Sequence, residues 1–344
     1  MQREIKNAGD LLDDKGHLIE CGYATKLIKT YDRSKIKAGK LRIKEWDYYL
    51  IYNKDYGVAF TIDDNSYMGL NSVSFLDFKK CTQITKSPMK FMTKGRTNLP
   101  PTSKIGDVEV VTKKYTFSFK NDGKKRLIYV KLPNFDKKKT FEAHFELWDE
   151  PKDSMVIVTP FKENKKAFYY NQKIVGMKAK GVVSIGDHKY TFEDSNTRGI
   201  LDWGRGVWTY KNTWYWGAGC GIVDGHEVGF NIGYGFGDVS NASENMVFFD
   251  GKAHKLDKVQ FCIPKDKNGK EDYISYWKFT SNDGRFEMKF KPILDRYANS
   301  DILIISSKQH QVFGEFSGEI LLDTGEKLHL KNFLAFAEKV VNKW

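Results

Sequence analysis

The stretch Phe141-Glu142-Ala143-His144-Phe145-Glu146-Leu147 decides the fold class, because apolar and polar side chains alternate along it without a break. Alternate residues of a strand point to opposite faces, so such a stretch buries one face of a sheet and exposes the other. The same alternation recurs at 115–119 and 286–290. We therefore predict an all-β protein of antiparallel sheets with few short helices. The best helix candidate is 332–344, although its beginning could also be a last strand.

Outward from this stretch, short sequence matches recur in the same order in both halves of the chain. A single short match arises easily by chance, whereas a shared order of five does not. The order predicts two similar β-units, 1–200 and 201–344, each of ordinary domain size. The matches are Val58-Ala59-Phe60 with Val228-Gly229-Phe230, Phe75-Leu76-Asp77 with Phe248-Phe249-Asp250, the Asn-Asp-Gly turns at 121–123 and 282–284, 181–185 with 318–322, and Ile200-Leu201-Asp202 with Phe336-Ala337-Glu338.

Each unit must deal with the exposed edges of its sheet. Closing the sheet into a barrel removes those edges, and a barrel of about eight strands leaves an interior that side chains fill or that holds one small ligand. The glycine-rich run at 229–237 is typical of sharply coiled strands or of close backbone approach. We therefore predict two tandem antiparallel β-barrels.

The net charge of +12 at pH 7 raises the question of nucleic-acid binding. The 56 basic residues comprise 47 Lys and only 9 Arg, and the lysines are spread over turns such as 135–139 and 264–267. Arg is expected where phosphates or guanines are held, because its guanidinium group binds them with two hydrogen bonds at once. Dispersed lysines are more typical of a solvated surface, so no nucleic-acid partner is predicted.

Other features limit the location and the chemistry of the protein. No apolar run reaches the roughly 20 residues that span a bilayer, and the first ten residues are polar, unlike a signal peptide. The four cysteines, at 21, 81, 220 and 262, are isolated and fit a reduced, cytoplasmic compartment. The seven histidines show no metal-ligand spacing, so neither a metal site nor a cofactor is predicted. The sequence predicts no oligomeric state.

One stretch departs from plain alternation: Leu201-Asp202-Trp203-Gly204-Arg205-Gly206-Val207-Trp208, followed closely by Trp214-Tyr215-Trp216. Four of the eight tryptophans lie here beside an acid and a guanidinium group, and such a cluster lines either a core or an aromatic pocket. In a first interpretation, Asp202 and Arg205 form an ion pair at the join of the two units. In a second, the stretch faces a cavity in which Asp202 is the catalytic acid.

The second interpretation gives each side chain a role. Asp202 would donate a proton, the indoles would stabilise a developing cation, and Arg205 would tune the acid or hold an anionic group. Polar residues on and after the glycine-rich strand would complete the site, although a solvated turn is their more ordinary setting. The predicted substrate-binding residues are Trp203, Arg205, Trp208, Trp214, Trp216, Asn231, Tyr234 and Glu244.

These motifs resemble a bacterial family, the domain of unknown function 2804, over essentially the whole chain. The resemblance is carried by 11–16, 22–24, 43–49, 201–206, 214–216, 229–237, 313–318 and 336–338. More distantly the chain resembles tandem lipocalin-like proteins, among them carotenoid hydratases, AttH-like proteins and tocopherol cyclase, which implies two lipocalin-like barrels. The residues that match the segment shared with those proteins are Asp202, Trp214, Trp216, Asp224 and Gly225. The hydratases carry a His beside this Asp, where this chain has Trp203.

Three functions are open at this point. The first is an enzyme of the lyase or isomerase type that protonates an apolar, unsaturated or polyketide-like molecule, leading to hydration, isomerisation or cyclisation. The second is a non-catalytic carrier of a lipophilic ligand, and the third is a structural protein whose barrels are filled by their own side chains. An apolar small molecule is common to the first two, and it is the partner that we predict.

Overall fold

The chain is almost entirely β. A computed structural model describes residues 2–302 and 305–343, with side chains described over 2–299 and 306–343. The helices in this part of the chain are two three-residue 3-10 helices, Arg33–Lys35 and Lys40–Arg42, so the prediction of an all-β protein with few short helices is confirmed. The strands are β1 (Gly9–Asp10), β2 (Gly22–Ala24), β3 (Lys29–Thr30), β4 (Ile43–Tyr52), β5 (Tyr56–Asp64), β6 (Met68–Asp77), β7 (Thr82–Lys86), β8 (Met89–Phe91), β9 (Val108–Val111), β10 (Thr116–Asn121), β11 (Lys125–Asp136), β12 (Lys139–Trp148), β13 (Met155–Phe161), β14 (Asn164–Ile185), β15 (His188–Phe192), β16 (Arg198–Val207), β17 (Lys211–Val223), β18 (His226–Tyr234), β19 (Met246–Phe249), β20 (Lys252–Lys255), β21 (Val259–Cys262), β22 (Trp277–Ser281), β23 (Phe286–Ile302), β24 (Ile305–Leu321) and β25 (Lys327–Lys343).

The strands form two large antiparallel sheets that follow each other along the chain. The main path of the first sheet is β7-β6-β5-β4-β16-β14-β12-β11-β10-β9, and that of the second is β20-β19-β18-β17-β25-β24-β23-β22-β21. Starting from the pairs β4–β16 and β17–β25, the two orders agree strand for strand, except that the first path ends one strand later. We call strands equivalent when they hold the same place in the two orders.

Four of the five sequence matches fall on equivalent strands. They relate β5 to β18, β6 to β19, β14 to β24 and β16 to β25. The match of the Asn-Asp-Gly turns is wrong, because 121–123 closes the β10–β11 hairpin whereas 282–284 closes the β22–β23 hairpin, one strand further along. Asp-Gly suits any tight hairpin, so it indicates a turn without indicating which turn.

The Trp-rich stretch belongs to the first sheet. β16 pairs with both β4 and β14, and the second sheet begins with β17 at Lys211. The predicted division between 200 and 201 therefore falls inside a strand whose ten residues are all buried. We propose instead that the two units divide between Val207 and Lys211, where no ladder is cut.

The last strand corrects another expectation. Residues 332–344 were the best helix candidate, yet β25 continues as one strand to Lys343; Trp344 lies outside the described residues. The register of β25 against β24 shifts between Phe316 and Gly318, and Asn332 has a φ of 53°. This bulge moves the buried face by one residue. When the buried positions of a strand shift by one residue, the spacing of its apolar residues becomes three at that point, which resembles the spacing in a helix.

Side chains fill the interior of each barrel. In the second barrel, Phe230 packs against Phe286 and Phe316 with ring centroids 5.3 and 5.1 Å apart, within a separate apolar cluster. In the first barrel, the fully buried Arg205 donates a hydrogen bond of 2.7 Å to the carbonyl oxygen of Pro100. Space for a ligand is therefore to be sought between the barrels.

Candidate functional site

A cavity of about 390 Å³ lies between the two sheets. This volume is within the range of small-molecule sites, roughly 300 to 1,000 Å³. The first sheet contributes β4, β5, β6, β7, β8, β14 and β16 to the wall, and the second contributes β17, β23, β24 and β25. The wall is largely aromatic and acidic, and includes Trp46, Tyr48, Asp63, Tyr169, Lys173, Asp202, Trp208, Trp214, Trp216, Phe236, Glu244 and Glu338.

Equivalent strands of the two sheets present equivalent side chains to the cavity. Asp202 on β16 lies beside its ladder partner Tyr48 on β4. On the equivalent strands of the second sheet, Glu338 on β25 lies beside its ladder partner Trp216 on β17. All four side chains line the cavity. The site is therefore built from matching faces of the two sheets, with one carboxyl group from each.

One end of the cavity is aromatic. Trp46 and Trp214 hold equivalent positions on β4 and β17, and Trp46 stacks on Tyr169 with 14° between the ring planes. Phe236 lies among Tyr169, Trp208 and Trp214, with ring centroids 4.8, 5.2 and 5.2 Å away. These rings form a flat-sided apolar wall suited to an unsaturated ligand.

Gly204 makes room for this aromatic wall. It is the ladder partner of Trp46, and a Cβ atom at this position would overlap with the Trp46 indole. Gly206, two residues later, would likewise place a Cβ atom against the backbone of Phe168. The glycines that follow Asp202 in the sequence therefore serve close packing within the sheet.

Asp202 is held by two buried partners. The Nζ atom of Lys173 lies 2.7 Å from Asp202 Oδ1, and the side-chain amide of Asn171 donates to the same oxygen at 2.6 Å. The Lys173 ammonium group also lies 4.0 Å from the centroid of the Trp216 ring. Because Lys173 and Asp202 are only 2% and 7% exposed, the cavity wall holds a fixed, charge-assisted contact.

Glu338 has neutral partners. The indole nitrogen of Trp214 donates to its Oε1 atom at 3.0 Å, and the amides of Gln309 and Gln311 donate to Oε2 at 3.0 and 3.1 Å. Within the described part of the chain, no lysine or arginine forms an ion pair with it. Burial raises the pKa of Glu338, because taking a carboxylate out of water disfavours its charged form.

Two further acids line the cavity. Burial raises the pKa of Glu244, and it raises that of Asp63 to about 7. The backbone N–H of Leu70 donates to Asp63 at 2.6 Å. Among the side chains described, the wall thus carries four carboxyl groups against two cationic side chains, Lys173 and Arg296. Titratable groups with such different surroundings in one site are suited to opposite proton-transfer roles.

The comparisons with known proteins follow from this architecture. The family model for the domain of unknown function 2804 matches residues 2–344. The chain belongs to this family. A comparison with curated protein sequences finds no match.

Two solved structures resemble this family member. A protein provisionally assigned as an AttH from Nitrosomonas europaea aligns over 88% of this chain and 92% of its own, with 10% identity and a TM-score of 0.53. Kievitone hydratase from Nectria haematococca aligns over 88% of each chain, with 10% identity and a TM-score of 0.50. At this identity the likeness shows the fold alone, and it confirms the two tandem lipocalin-like β-barrels.

Five of the predicted site residues line the cavity of this family member: Asp202, Trp208, Trp214, Trp216 and Glu244. They come from β16, from the connection to β17, from β17 itself and from the segment between β18 and β19. The join between the two barrels therefore brings the acid and three of the four predicted indoles together.

Trp203 and Arg205 lie on the opposite face of β16, inside the first barrel. Arg205 forms an ion pair with Asp47 at 3.0 Å, and its guanidinium carbon lies 4.3 Å from the centroid of the Trp203 ring. Residues three apart on a strand point to opposite faces. The ion pair between Asp202 and Arg205 that the first interpretation offered is therefore wrong, and neither Trp203 nor Arg205 reaches the cavity wall.

Asn231 and Tyr234 also lie outside the cavity wall. Asn231 accepts a hydrogen bond of 2.7 Å from the indole of Trp216 and donates to the backbone carbonyl of Glu244, so it supports two wall residues from behind. Tyr234 stacks on Tyr215 in the second barrel, with ring centroids 4.5 Å apart. Asn231 therefore acts through hydrogen bonds and Tyr234 through packing, and neither lines the cavity.

The sequence interpretation missed Lys173, Glu338 and Trp46. Glu338 could have been found, because the match of 200–202 with 336–338 already aligns it with Asp202. Lys173 carries no local signal, since its role depends on the β14–β16 register that places it opposite Asp202. Trp46 lies within a family motif, but nothing near it in the sequence indicates that it faces the second barrel.

The structure adds two observations on ions and membranes. Across residues 2–302 and 305–343, no group of three His, Cys, Asp or Glu side chains is arranged to hold a metal ion. No helix found there is long and apolar enough to cross a bilayer.

Proposed function

We propose that this protein binds an apolar, unsaturated small molecule in the cavity between its barrels and protonates it there. The observation that carries the proposal is an aromatic wall that faces two buried carboxyl groups with unlike partners. Asp202 contacts an ammonium group, whereas Glu338 contacts neutral donors. A cavity of about 390 Å³ suits a small ligand rather than a polymer segment.

Glu338 is the better proton donor of the two acids. Its raised pKa keeps a proton available closer to neutral pH, which is what a general acid requires. Asp202 was the predicted donor, but its Oδ1 atom accepts hydrogen bonds from both Lys173 and Asn171. Asp202 is the acidic partner of a buried ion pair with Lys173, so we assign it the role of the base.

Protonation of a carbon–carbon double bond by Glu338 can lead to three kinds of product. Glu338 gives its proton to one carbon of a double bond, whose π electrons form the new C–H bond and leave a cation on the other carbon. The faces of Trp214 and Trp216 stabilise that cation. Water then adds and passes a proton to Asp202, which gives hydration, or a neighbouring C–H bond loses its proton to Asp202, which gives isomerisation. Attack by a second double bond of the same molecule closes a ring and moves the positive charge to that bond's other carbon, and loss of a neighbouring C–H proton to Asp202 then gives the neutral cyclised product.

Deuterium incorporation tests this proposal. The apolar molecules that native mass spectrometry detects on protein from its own host are extracted and incubated with apo-protein in D₂O. We expect deuterium on carbon in the product, and a loss of about 10²- to 10⁴-fold in Glu338→Gln, since that is the usual contribution of a general acid. Glu319→Gln is the matched control, because Glu319 is exposed on β24 and does not line the cavity, and it should retain the wild-type rate.

Carriage of the ligand without turnover is the second candidate function. The observation in its favour is that Asp202 Oδ1 and both carboxyl oxygens of Glu338 already accept hydrogen bonds from neighbouring side chains. In that case the wild-type protein binds the extracted molecules but incorporates no deuterium. That result would contradict the enzymatic proposal and leave the binding site in place.

We also propose that the protein works in a reducing compartment, the cytoplasm. All four cysteines are free thiols, and Cys81 and Cys262 are exposed. Thiol labelling in intact cells after acid quenching should modify all four positions once the protein is unfolded. Protection of any pair by a disulfide would contradict this location.

A further inference from the structure

A basic and apolar segment forms one edge of the cavity mouth. We call residues 86–96 the rim; they include β8 and follow β7 directly. Three large apolar side chains of the rim are exposed, Met89 at 46%, Phe91 at 67% and Met92 at 42%. The charges are one-sided, because from 78 to 106 the chain contains seven basic residues and no acidic one.

The register of β8 places Met89 and Phe91, but not Lys90, on the cavity side of the sheet. β8 pairs with β6 so that Phe91 lies opposite Met68 and Met89 lies opposite Leu70. Side chains of directly opposite residues in an antiparallel pair share a face. Since Met68, Leu70 and Met89 line the cavity, Phe91 continues the same apolar surface out into solvent.

The backbone holds the rim in this position. Met92 N–H donates to the carbonyl of Tyr67 at 2.7 Å, and Lys94 N–H donates to that of Ser66 at 2.8 Å. Met92 and Lys94 both have positive φ values, 56° and 54°, which residues with a Cβ atom rarely adopt. Such a conformation persists only where surrounding structure enforces it, so the exposure of these side chains is built into the fold.

The rim cations are available for a partner. Lys79 and Lys80, just before the rim, form ion pairs with Asp55 and Asp77. The four rim cations form none with any acid in the described part of the chain, and they are all exposed. They are Lys86, Lys90, Lys94 and Arg96.

We propose that the rim docks this protein on an anionic lipid surface. Aromatic and aliphatic side chains next to clustered cations are the combination that inserts shallowly into a bilayer while contacting acidic headgroups. A molecule dissolved in the bilayer would then pass along Phe91 and Met89 into the cavity. The transfer step rests on the proposed function, whereas docking depends on the rim alone.

Vesicle binding tests the docking step. Co-sedimentation with vesicles of 70% phosphatidylcholine and 30% phosphatidylserine should bind most of the wild-type protein, and pure phosphatidylcholine vesicles should bind at least tenfold less. Raising NaCl from 0.1 to 0.5 M should release the protein, because salt screens the headgroup attraction. Equal binding to both kinds of vesicle, or no binding to either, would overturn the proposal.

Charge reversal locates the contact. The triple variant K86E/K90E/K94E should lose at least tenfold in affinity for the anionic vesicles, and F91S should lose severalfold. The matched control is K113E/K114E/K124E, which reverses three exposed lysines on turns around β10 that do not line the cavity. Equal losses in the two triple variants would contradict a specific rim. Tighter binding of the wild type to a 20-base-pair DNA duplex than to the vesicles would identify a nucleic-acid surface instead.

Ligand transfer is measured separately, so that the docking proposal and the cavity proposal can be contradicted independently of each other. Pyrene dissolved in the anionic vesicles should quench the cavity tryptophans when it reaches them, and K86E/K90E/K94E should slow this at least tenfold. The same variant should bind 1-anilinonaphthalene-8-sulfonate in vesicle-free solution as the wild type does. Normal docking without pyrene uptake would contradict the transfer step. Failure of the wild-type protein to bind 1-anilinonaphthalene-8-sulfonate would contradict the cavity proposal alone.

Discussion

At the residue scale, the chemistry of the cavity depends on which carboxyl group has a cationic partner. Asp202 and Glu338 hold equivalent positions in the two sheets, yet their ladder neighbours differ: Lys173 lies opposite Asp202, and Gln311 lies opposite Glu338. One substitution between equivalent positions thus separates an ion-paired acid from a hydrogen-bonded one. The two sheets therefore present matching backbone positions but different carboxyl partners to the site.

Asp63 gives a pH prediction. Its pKa is about 7 in the folded protein, against 3.8 without the fold. A raised pKa means that the folded state holds the proton more tightly, so this contribution to stability is present below pH 3.8 and is lost as the pH rises through 7. Asp63→Asn should therefore gain stability relative to wild type, by about 2 kcal/mol between pH 5 and pH 8, in urea unfolding. A difference that is constant over this range would contradict the assignment.

Gly204 gives a packing prediction. Gly204→Ala places a methyl group into the Trp46 indole, and overpacking of this kind costs about 1 to 3 kcal/mol. Urea unfolding should show that loss, and the affinity for 1-anilinonaphthalene-8-sulfonate should change because Trp46 moves. The control Gly39→Ala meets only the Arg42 side chain at 3.8 Å, so its effect should stay within 0.5 kcal/mol. Equal stability of the two variants would contradict the packing.

At the element scale, alternation along four strands assembles the site. β4 and β16 present one face to the second barrel, and β17 and β25 present the matching face to the first. The inner faces of the same strands fill the barrels. If the register of one of these strands shifted by one residue, the side chains that line the cavity and those that fill the barrel would exchange places. The bulge in β25 makes such a shift within one strand.

The aromatic segment after β18 gives a prediction at this scale. Phe236→Ala and Phe230→Ala both remove a buried ring, and each should cost about 3 to 5 kcal/mol in unfolding free energy. Only Phe236 lines the cavity, so only Phe236→Ala should alter probe affinity or admit a larger ligand. Isothermal titration with 1-anilinonaphthalene-8-sulfonate compares the two. A change in both variants, or in Phe230→Ala alone, would contradict the separation of cavity and core.

The sequence predicted the strands more accurately than it predicted their boundaries and connections. Alternation in 141–147 is a local property, so β12 could be read directly. The end of the first unit could not, because β16 joins the first sheet only through its register with β4 and β14. For the same reason the sequence left open an ion pair between Asp202 and Arg205, because the face of a sheet to which a side chain points cannot be assigned until the strand itself is known.

At the scale of the whole molecule, the cavity exists because two filled barrels meet along a ligand-sized gap. Tyr52 on β4 fastens this contact: its hydroxyl group accepts from the backbone N–H of Cys220 at 2.7 Å and donates to the Cys220 carbonyl at 3.0 Å. The contact is buried and joins the two sheets. The third function considered from the sequence, a structural protein with filled barrels, did not include the space between them.

Removing the Tyr52 hydroxyl group tests this fastening. Tyr52→Phe leaves the backbone groups of Cys220 without a partner, and an unsatisfied buried polar group costs about 1 to 3 kcal/mol. Thermal unfolding should show the loss. The control Tyr276→Phe changes a side chain that is 66% exposed and should have little effect. Identical unfolding of Tyr52→Phe and wild type would contradict a stabilising contact between the two sheets at Tyr52.

The location of the cavity could not be predicted from the sequence for a physical reason. The side of the sheet on which each wall residue lies follows from alternation along its own strand, but the cavity itself depends on how the two curved sheets face each other. The Trp-rich stretch indicated a pocket near the join, and four strands that contribute to it, β5, β6, β23 and β24, lie far from that stretch in sequence.

The most direct test of the central claim is a crystal structure of the protein purified from its own host without delipidation. The account predicts continuous density for an apolar molecule between the two barrels, against the Trp208, Trp214 and Phe236 rings and within reach of Asp202 and Glu338. Ordered water alone in that space, or ligand density inside either barrel, would contradict it.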